Sequence, residues 1–244
     1  MKTNESGNAN KVNEPIKHIV LIHGLHQRHW IMKPLALRFE KAGYICHLFN
    51  YSSLAEPMET HITRLHSWLA PEVGETPFHM VGHSLGGLVI RQFLHKYPQW
   101  LENGRLGRGG LGRVVTLGTP HLGSTTADYA KRLLPIAVGH SYKGALDGSI
   151  ADLPDGVCLG VIAGNKPQGL GTPVLSYHNR KGELSNEDKA NDGTVYVFET
   201  RLPKATDHIV MPVTHTGMLI DKAVAENALY FLENGCFQKI DQSI

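Results

Sequence analysis

Phe78-His79-Met80-Val81-Gly82-His83-Ser84-Leu85-Gly86-Gly87 joins a short apolar run to the helical stretch Leu88 to Lys96. It reads strand, sharp turn, helix. Glycines at 82 and 86 let strand and helix approach at a turn too tight for side chains, and the strain of that turn projects the serine hydroxyl above the sheet. Ser84 is therefore the candidate nucleophile. The string G-x-S-x-G arises readily by chance in a chain with 26 glycines, so the flanking strand and helix carry the weight. The plainer alternative is a glycine-rich turn whose serine only caps its helix.

Outward from this turn, strand-like and helix-like segments alternate from residue 17 onward, the pattern of an α/β fold with a mostly parallel sheet of about six strands and helices on both faces. His18 to Ile22 is a β-branched run ending in His23-Gly24, and Trp30 to Lys41 has helical spacing. Tyr44 to Tyr51 opens the next strand. Glu56 to Leu69 reads as a helix that Pro71 closes. Arg113 to Leu117 runs into Gly118-Thr119-Pro120-His121-Leu122-Gly123, and Val157 to Ile162 forms a further strand. After Gly164 a polar, glycine-rich connection leads to Asn191-Asp192-Gly193-Thr194-Val195. The last strand, Asp207 to Val213, precedes Thr214-His215-Thr216-Gly217 and a helix from Met218 to Leu232. Residues 1–15 read as a flexible tail and 16–244 as a single domain. Residues 124–154 form an insertion, more apolar than a surface loop because of Leu133, Leu134, Ile136 and Val138. It is expected to act as a lid that sets ligand preference, with Leu133 and Leu134 the residues that tune it; fixed packing over the sheet edge is the alternative.

Composition narrows the function. The chain has 244 residues, 41% hydrophobic and 19% charged, ordinary for a soluble globular protein. A net charge of +2 makes no case for nucleic acid or an anionic membrane. The basic stretch Asn103 to Arg113 reads as an exposed loop. Its Gly107-x-Gly109-x-x-Gly112 precedes a strand, whereas a dinucleotide fingerprint follows one. Cys46, Cys158 and Cys236 are odd in number and far apart, which argues against a disulfide framework. Two of them lie in apolar runs and read as buried small hydrophobes. The polar N-terminus has no apolar signal region, and no apolar run is long enough to span a membrane, so the expectation is a cytoplasmic protein without stable membrane insertion.

A serine hydroxyl is a weak nucleophile and needs a base within reach and a third group to orient that base. Functional groups of a parallel sheet gather at the carboxyl ends of its strands. His215 directly follows a strand there, whereas His208 lies inside one, and His83 and His121 read as wall residues. Asp155, Asp188 and Asp207 compete with Asp192 for the acid. Asp192 is preferred because Gly193 permits a tight turn ahead of apolar Val195. Negative charge developing on oxygen calls for two backbone N–H donors, one at Leu85 and one in His23-Gly24-Leu25, with Leu25 the candidate. His23, His26 and His29 are spaced three apart, but no carboxylate or cysteine completes a metal set.

His23-Gly24-Leu25, Gly82 to Gly87, Gly118 to Ser124, Asn191 to Val195 and His215-Thr216 together resemble the α/β-hydrolase superfamily, and within it the bacterial lipase and esterase group related to the GPI inositol-deacylase type. The resemblance spans about residues 17–235. It implies the α/β-hydrolase fold with Ser84 as nucleophile, Asp192 as acid, His215 as base, and Leu25 and Leu85 as oxyanion donors. The chain departs from secreted true lipases in lacking a signal peptide and an evident disulfide pair, and in its short insertion. Those relatives also carry a structural calcium; no metal and no cofactor are expected here. The expected activity is hydrolysis of small-molecule or lipid carboxylic esters through an acyl-enzyme. Acyl transfer with the same residues is the alternative, and a catalytically silent binding protein on this fold is the reading from another class.

Overall fold

The computed structural model describes residues 15–101, 110–182 and 184–238. The proposed tail and most of the basic glycine-rich stretch lie outside them. Six strands form the sheet: β1 (His18–Ile22), β2 (Ile45–Phe49), β3 (Phe78–His83), β4 (Leu111–Leu117), β5 (Cys158–Gly164) and β6 (Asp207–Met211). All neighbours are parallel, in the order β2-β1-β3-β4-β5-β6. Strand winding reverses on either side of β1, which opens a crevice at the carboxyl ends of β1 and β3.

Six helices flank these strands: α1 (Lys33–Lys41), α2 (Met58–Val73), α3 (Leu85–Lys96), α4 (Thr125–Leu133), α5 (Thr172–Arg180) and α6 (Lys222–Asn234). Successive residues of a strand face opposite ways, so a strand covered on both sides must be apolar throughout. In β1, Val20 and Ile22 pack with Leu65 of α2 and Leu88 of α3 in one core. Ile19 and Leu21 pack with Phe39 of α1 and Phe231 of α6 in the other. At the turn between β3 and α3 the glycines are required by contact. A Cβ on Gly86 would lie 2.2 Å from the Ile22 carbonyl oxygen, and one on Gly82 would lie 2.6 Å from the Gly87 nitrogen.

Several element bounds differ from the sequence expectation, each for a local reason. A 3-10 turn, His29–Met32, precedes α1, which starts where Pro34 occupies its first turn. α2 does not stop at Pro71 but runs through it to Val73, because a proline in the last turn costs few helix bonds and Val73 is buried in the core. β4 begins at Leu111, two residues early. β6 ends at Met211, before Pro212, which has no N–H to pair. α6 starts at Lys222 because the Asp221 carboxylate accepts the Val224 N–H at 3.0 Å and caps it there. α5 was not anticipated in the connection after Gly164. Cys46 and Cys158 are half-buried rather than buried, and all three cysteines are free.

The insertion is mostly helical, comprising α4 and three short turns between Pro135 and Leu146. Most of it closes on itself: a Cβ on Gly123 would lie 3.1 Å from the Gly148 nitrogen. Val138, Ala145, Leu146 and Leu153 are buried in the core, while Leu133, Leu134 and Ile136 stand exposed. Among the described residues no helix is long and apolar enough to cross a membrane.

Candidate active site

Ser84 sits between β3 and α3 with φ 54° and ψ −123°. His26 is the other described residue, glycine aside, with positive φ. A conformation of this kind costs about 1–3 kcal/mol and persists only where neighbours enforce it. Here the Ser84 N–H donates to the Leu117 carbonyl at 2.8 Å, and the Thr119 hydroxyl donates to the Ser84 carbonyl at 2.9 Å. The Ser84 side chain makes no cap hydrogen bond to α3, which removes the helix-cap alternative. It borders a cavity instead.

Asp192 and His215 come together. Asp192 Oδ2 lies 2.7 Å from His215 Nδ1, and the carboxylate is 1% exposed. Its other oxygen, Oδ1, accepts the N–H groups of Thr194 at 2.9 Å and Val195 at 2.8 Å. The loop thus folds around its own acid. Because a carboxylate only accepts, the Nδ1 that faces it carries a proton, which leaves Nε2 of a neutral ring able to accept one. The Asp192 carbonyl also accepts the His215 N–H at 2.9 Å. Gly118, with φ 57°, lets β4 pass this pair, since a Cβ there would lie 2.9 Å from His215 Nδ1. The competing acids are engaged elsewhere: Asp155 with Lys204, Asp188 with Ser185, and Asp207 with the Phe237 N–H.

His83 links the Ser84 turn to both neighbouring loops. Its Nε2 lies 3.0 Å from the His215 carbonyl and its Nδ1 3.1 Å from Gln27 Oε1. Burial pushes its imidazole down to about 3, so it stays neutral as a wall residue. Among the described residues the Ser84 hydroxyl has no hydrogen-bond partner, so it is joined to His215 neither directly nor through His83.

The loop after β1 is held tightly. The Gly24 N–H donates to Gln27 Oε1 at 2.8 Å, and the Tyr51 hydroxyl donates to the His23 carbonyl at 2.8 Å. A Cβ on Gly24 would lie 2.9 Å from Ser84 Cβ, so the loop lies against the serine. Leu25 borders the same cavity as Ser84, and Leu85 is the first residue of α3, where a backbone N–H has no partner within the helix. His23 is buried, stacked on Tyr51 and pushed down to about 4 by desolvation. His26 Nε2 lies 2.5 Å from the Ala137 carbonyl, which ties this loop to the insertion.

The cavity beside Ser84 has a volume of about 310 Å³ and is lined chiefly by Leu25, Ala127, Ala130, Val138, Val174 and Val195. His26 also borders a second, more polar cavity of about 310 Å³ lined by Arg28, Ser52 and Ser53. The insertion therefore walls the first cavity through its alanines and Val138. Leu133 and Leu134, the residues expected to tune ligand preference, are 79% and 58% exposed and do not line it. Three contributors went unread in the sequence: Gln27, Tyr51 and Glu199. Glu199 is a carboxyl group 2% exposed whose pKa burial pushes up to about 7. Its only sequence signal is a lone acid inside Val195-Tyr196-Val197-Phe198 and Thr200.

A profile described as the alpha/beta hydrolase family matches residues 19–134. Among curated proteins the sequence finds no match. In fold, the chain is similar to the mature form of lipase BlEst2 from Bacillus licheniformis, with a TM-score of 0.70 at 24% identity over 90% of this chain and 94% of that one. It spans 52% of the same lipase in its propeptide form. It is also similar to the metagenomic carboxyl esterase MGS0156, with a TM-score of 0.62 at 17% identity over 84% of this chain and 66% of that one. A pyrethroid hydrolase from Sphingobium faniae JZ-2 matches with a TM-score of 0.54 at 15% identity, over 89% and 98% of the two chains.

Proposed function

We propose, from the α/β-hydrolase fold and the alpha/beta hydrolase profile that matches residues 19–134, that the chain is a serine esterase that cleaves carboxylic esters through an acyl-enzyme. The observation that carries this reading is the strained Ser84, its hydroxyl uncommitted, at the edge of an apolar cavity beside the buried Asp192–His215 pair. In the first step His215 Nε2 takes the Ser84 proton as the oxygen bonds to the ester carbonyl carbon. The developing oxyanion accepts the N–H groups of Leu25 and Leu85, each such donor being worth about 3 kcal/mol in the transition state. His215 then protonates the departing alcohol, takes a proton from the water that attacks the acyl carbon, and returns it to the Ser84 oxygen as that acyl bond breaks and the acid leaves.

Fluorophosphonate labelling tests this reading. Wild-type protein is expected to label once, and Ser84→Ala not at all; labelling that survives the substitution would place the nucleophile elsewhere.

The apolar cavity is the acyl site of this reading, and its small size favours short to medium chains. Ala130 forms part of its wall, so Ala130→Leu is expected to shorten the accepted chain. The octanoyl-to-acetyl ratio of kcat/KM should fall about 10-fold, as each methylene displaced from an apolar pocket costs about 1–3 kcal/mol. An unchanged ratio on a series of chromogenic esters would remove this cavity from acyl binding.

A further inference from the structure

Glu199 takes no part in the proton transfers above, yet it is a buried carboxylate with both oxygens engaged. Oε1 accepts the Thr125 N–H at 2.6 Å and Oε2 the Tyr196 N–H at 2.9 Å. Its own carbonyl accepts the Leu122 N–H at 3.0 Å. Nearby, the Thr126 hydroxyl donates to the Thr194 carbonyl at 2.6 Å. Residues 122–126, which open the insertion, are thereby stitched to residues 194–199, which follow Asp192.

Each side of this seam carries part of the site. Ser124, Thr126 and Ala127 border the cavity, while the N–H groups of Thr194 and Val195 hold Asp192 Oδ1. Burying a carboxylate is costly, and an apolar side chain would fill the same space without that cost. What the carboxylate adds is a rigid pair of acceptors aimed at two separate segments. The Thr125 N–H is moreover the first of α4, where a helix terminus favours negative charge.

We propose that Glu199 is a positioning residue that holds the wall of the acyl cavity in register with the loop of the catalytic acid. The proposal rests on the serine-esterase reading. A long acyl chain that presses on the wall is aligned with Asp192 and His215 through this carboxylate, whereas an acetyl group too short to reach the wall depends on it less.

Two substitutions cut the same link from opposite ends. Glu199→Gln keeps one acceptor and turns an NH2 toward the other backbone donor. Thr125→Pro deletes the N–H at the first helical residue, a position that suits proline, and the preceding Ser124 already has the extended backbone proline demands, at φ −127° and ψ 109°. Measurements of kcat and KM on acetyl through octanoyl esters, with fluorophosphonate labelling and thermal unfolding alongside, read the outcome. Each single variant is expected to lower kcat for the octanoyl ester about 10-fold with a smaller loss for acetyl, and the double variant to fall no further than the singles. An unchanged chain-length profile, losses that multiply in the double variant, or a loss uniform across chains that follows a lowered unfolding temperature would each overturn the role. Wild-type protein that neither labels nor cleaves acetyl esters would overturn the esterase reading, and this role with it.

Discussion

Asp192→Asn should lower kcat for ester hydrolysis by about 10⁴ while leaving the fold intact. The size follows from where the two oxygens of Asp192 point. Oδ1 accepts two N–H groups, from Thr194 and Val195, and an asparagine must keep its carbonyl oxygen there to satisfy them. Its NH2 is then left facing His215 Nδ1, 2.7 Å away in the native pair. An NH2 can only donate, so Nδ1 must become the acceptor and the ring proton moves to Nε2. The base now presents a proton to Ser84 where it should take one. Circular dichroism and thermal unfolding should match wild type, and labelling of Ser84 should slow in parallel with turnover. A variant retaining a tenth of wild-type kcat would mean that Asp192 does not set the tautomer of the working base.

Mild acid should unfold the protein, with the steepest loss of stability near pH 5. Five buried histidines, His23, His61, His79, His83 and His121, are pushed down from 6.5 to about 3–4, with desolvation the largest cause in each. In the unfolded chain each titrates near 6.5. As pH falls from 6.5 toward 4 the unfolded chain therefore binds protons that the fold refuses, and stability drops. The slope is roughly 1 kcal/mol per pH unit for each histidine, so five together approach roughly 5 kcal/mol per unit, against a typical net stability of about 5–15 kcal/mol. Glu199 works the other way. Its folded value is raised from 4.5 to about 7, so its proton is favoured by folding and its contribution is lost as pH rises through that window. It offsets about one histidine of the five. A fluorescence titration with unfolding temperatures from pH 8 to 4.5 reads the balance; an unfolding temperature constant over pH 7 to 4.5 would contradict it.

What could be read from the sequence was set by short-range backbone demands. The turn at Ser84 needs glycines at fixed offsets from the serine, and Asp192 followed by Gly193 needs a tight turn, so both announce themselves within five residues. His215 was legible because a strand ends just before it. Orientation within the insertion was not legible. Leu133 and Leu134 made the insertion read as apolar and were expected to tune ligand preference, but it is Ala127, Ala130, Val138 and Leu146 that line the cavity. The chain leaves α4 at Leu134 and turns at Pro135, which carries the leucines outward. α5 went unread because its polar, proline-started sequence has little apolar periodicity. Glu199 was invisible for a different reason: its burial depends on the N–H of Thr125, 74 residues away in the chain, and nothing local to Glu199 records that partner.

The meeting of Gly123 and Gly148 gives the insertion the form of a cassette with a closed stem. Chain enters and leaves residues 124–147 at nearly one point beyond the carboxyl end of β4, and residues 149–157 carry it back to the start of β5, so the span between the two glycines can grow, shrink or be exchanged without respacing these parallel strands. Each doubling of such a loop adds only about 0.6 kcal/mol of closure entropy. Ligand preference can thus diversify by replacement of this one module, while the Ser84 turn and the Asp192–His215 pair stay as they are.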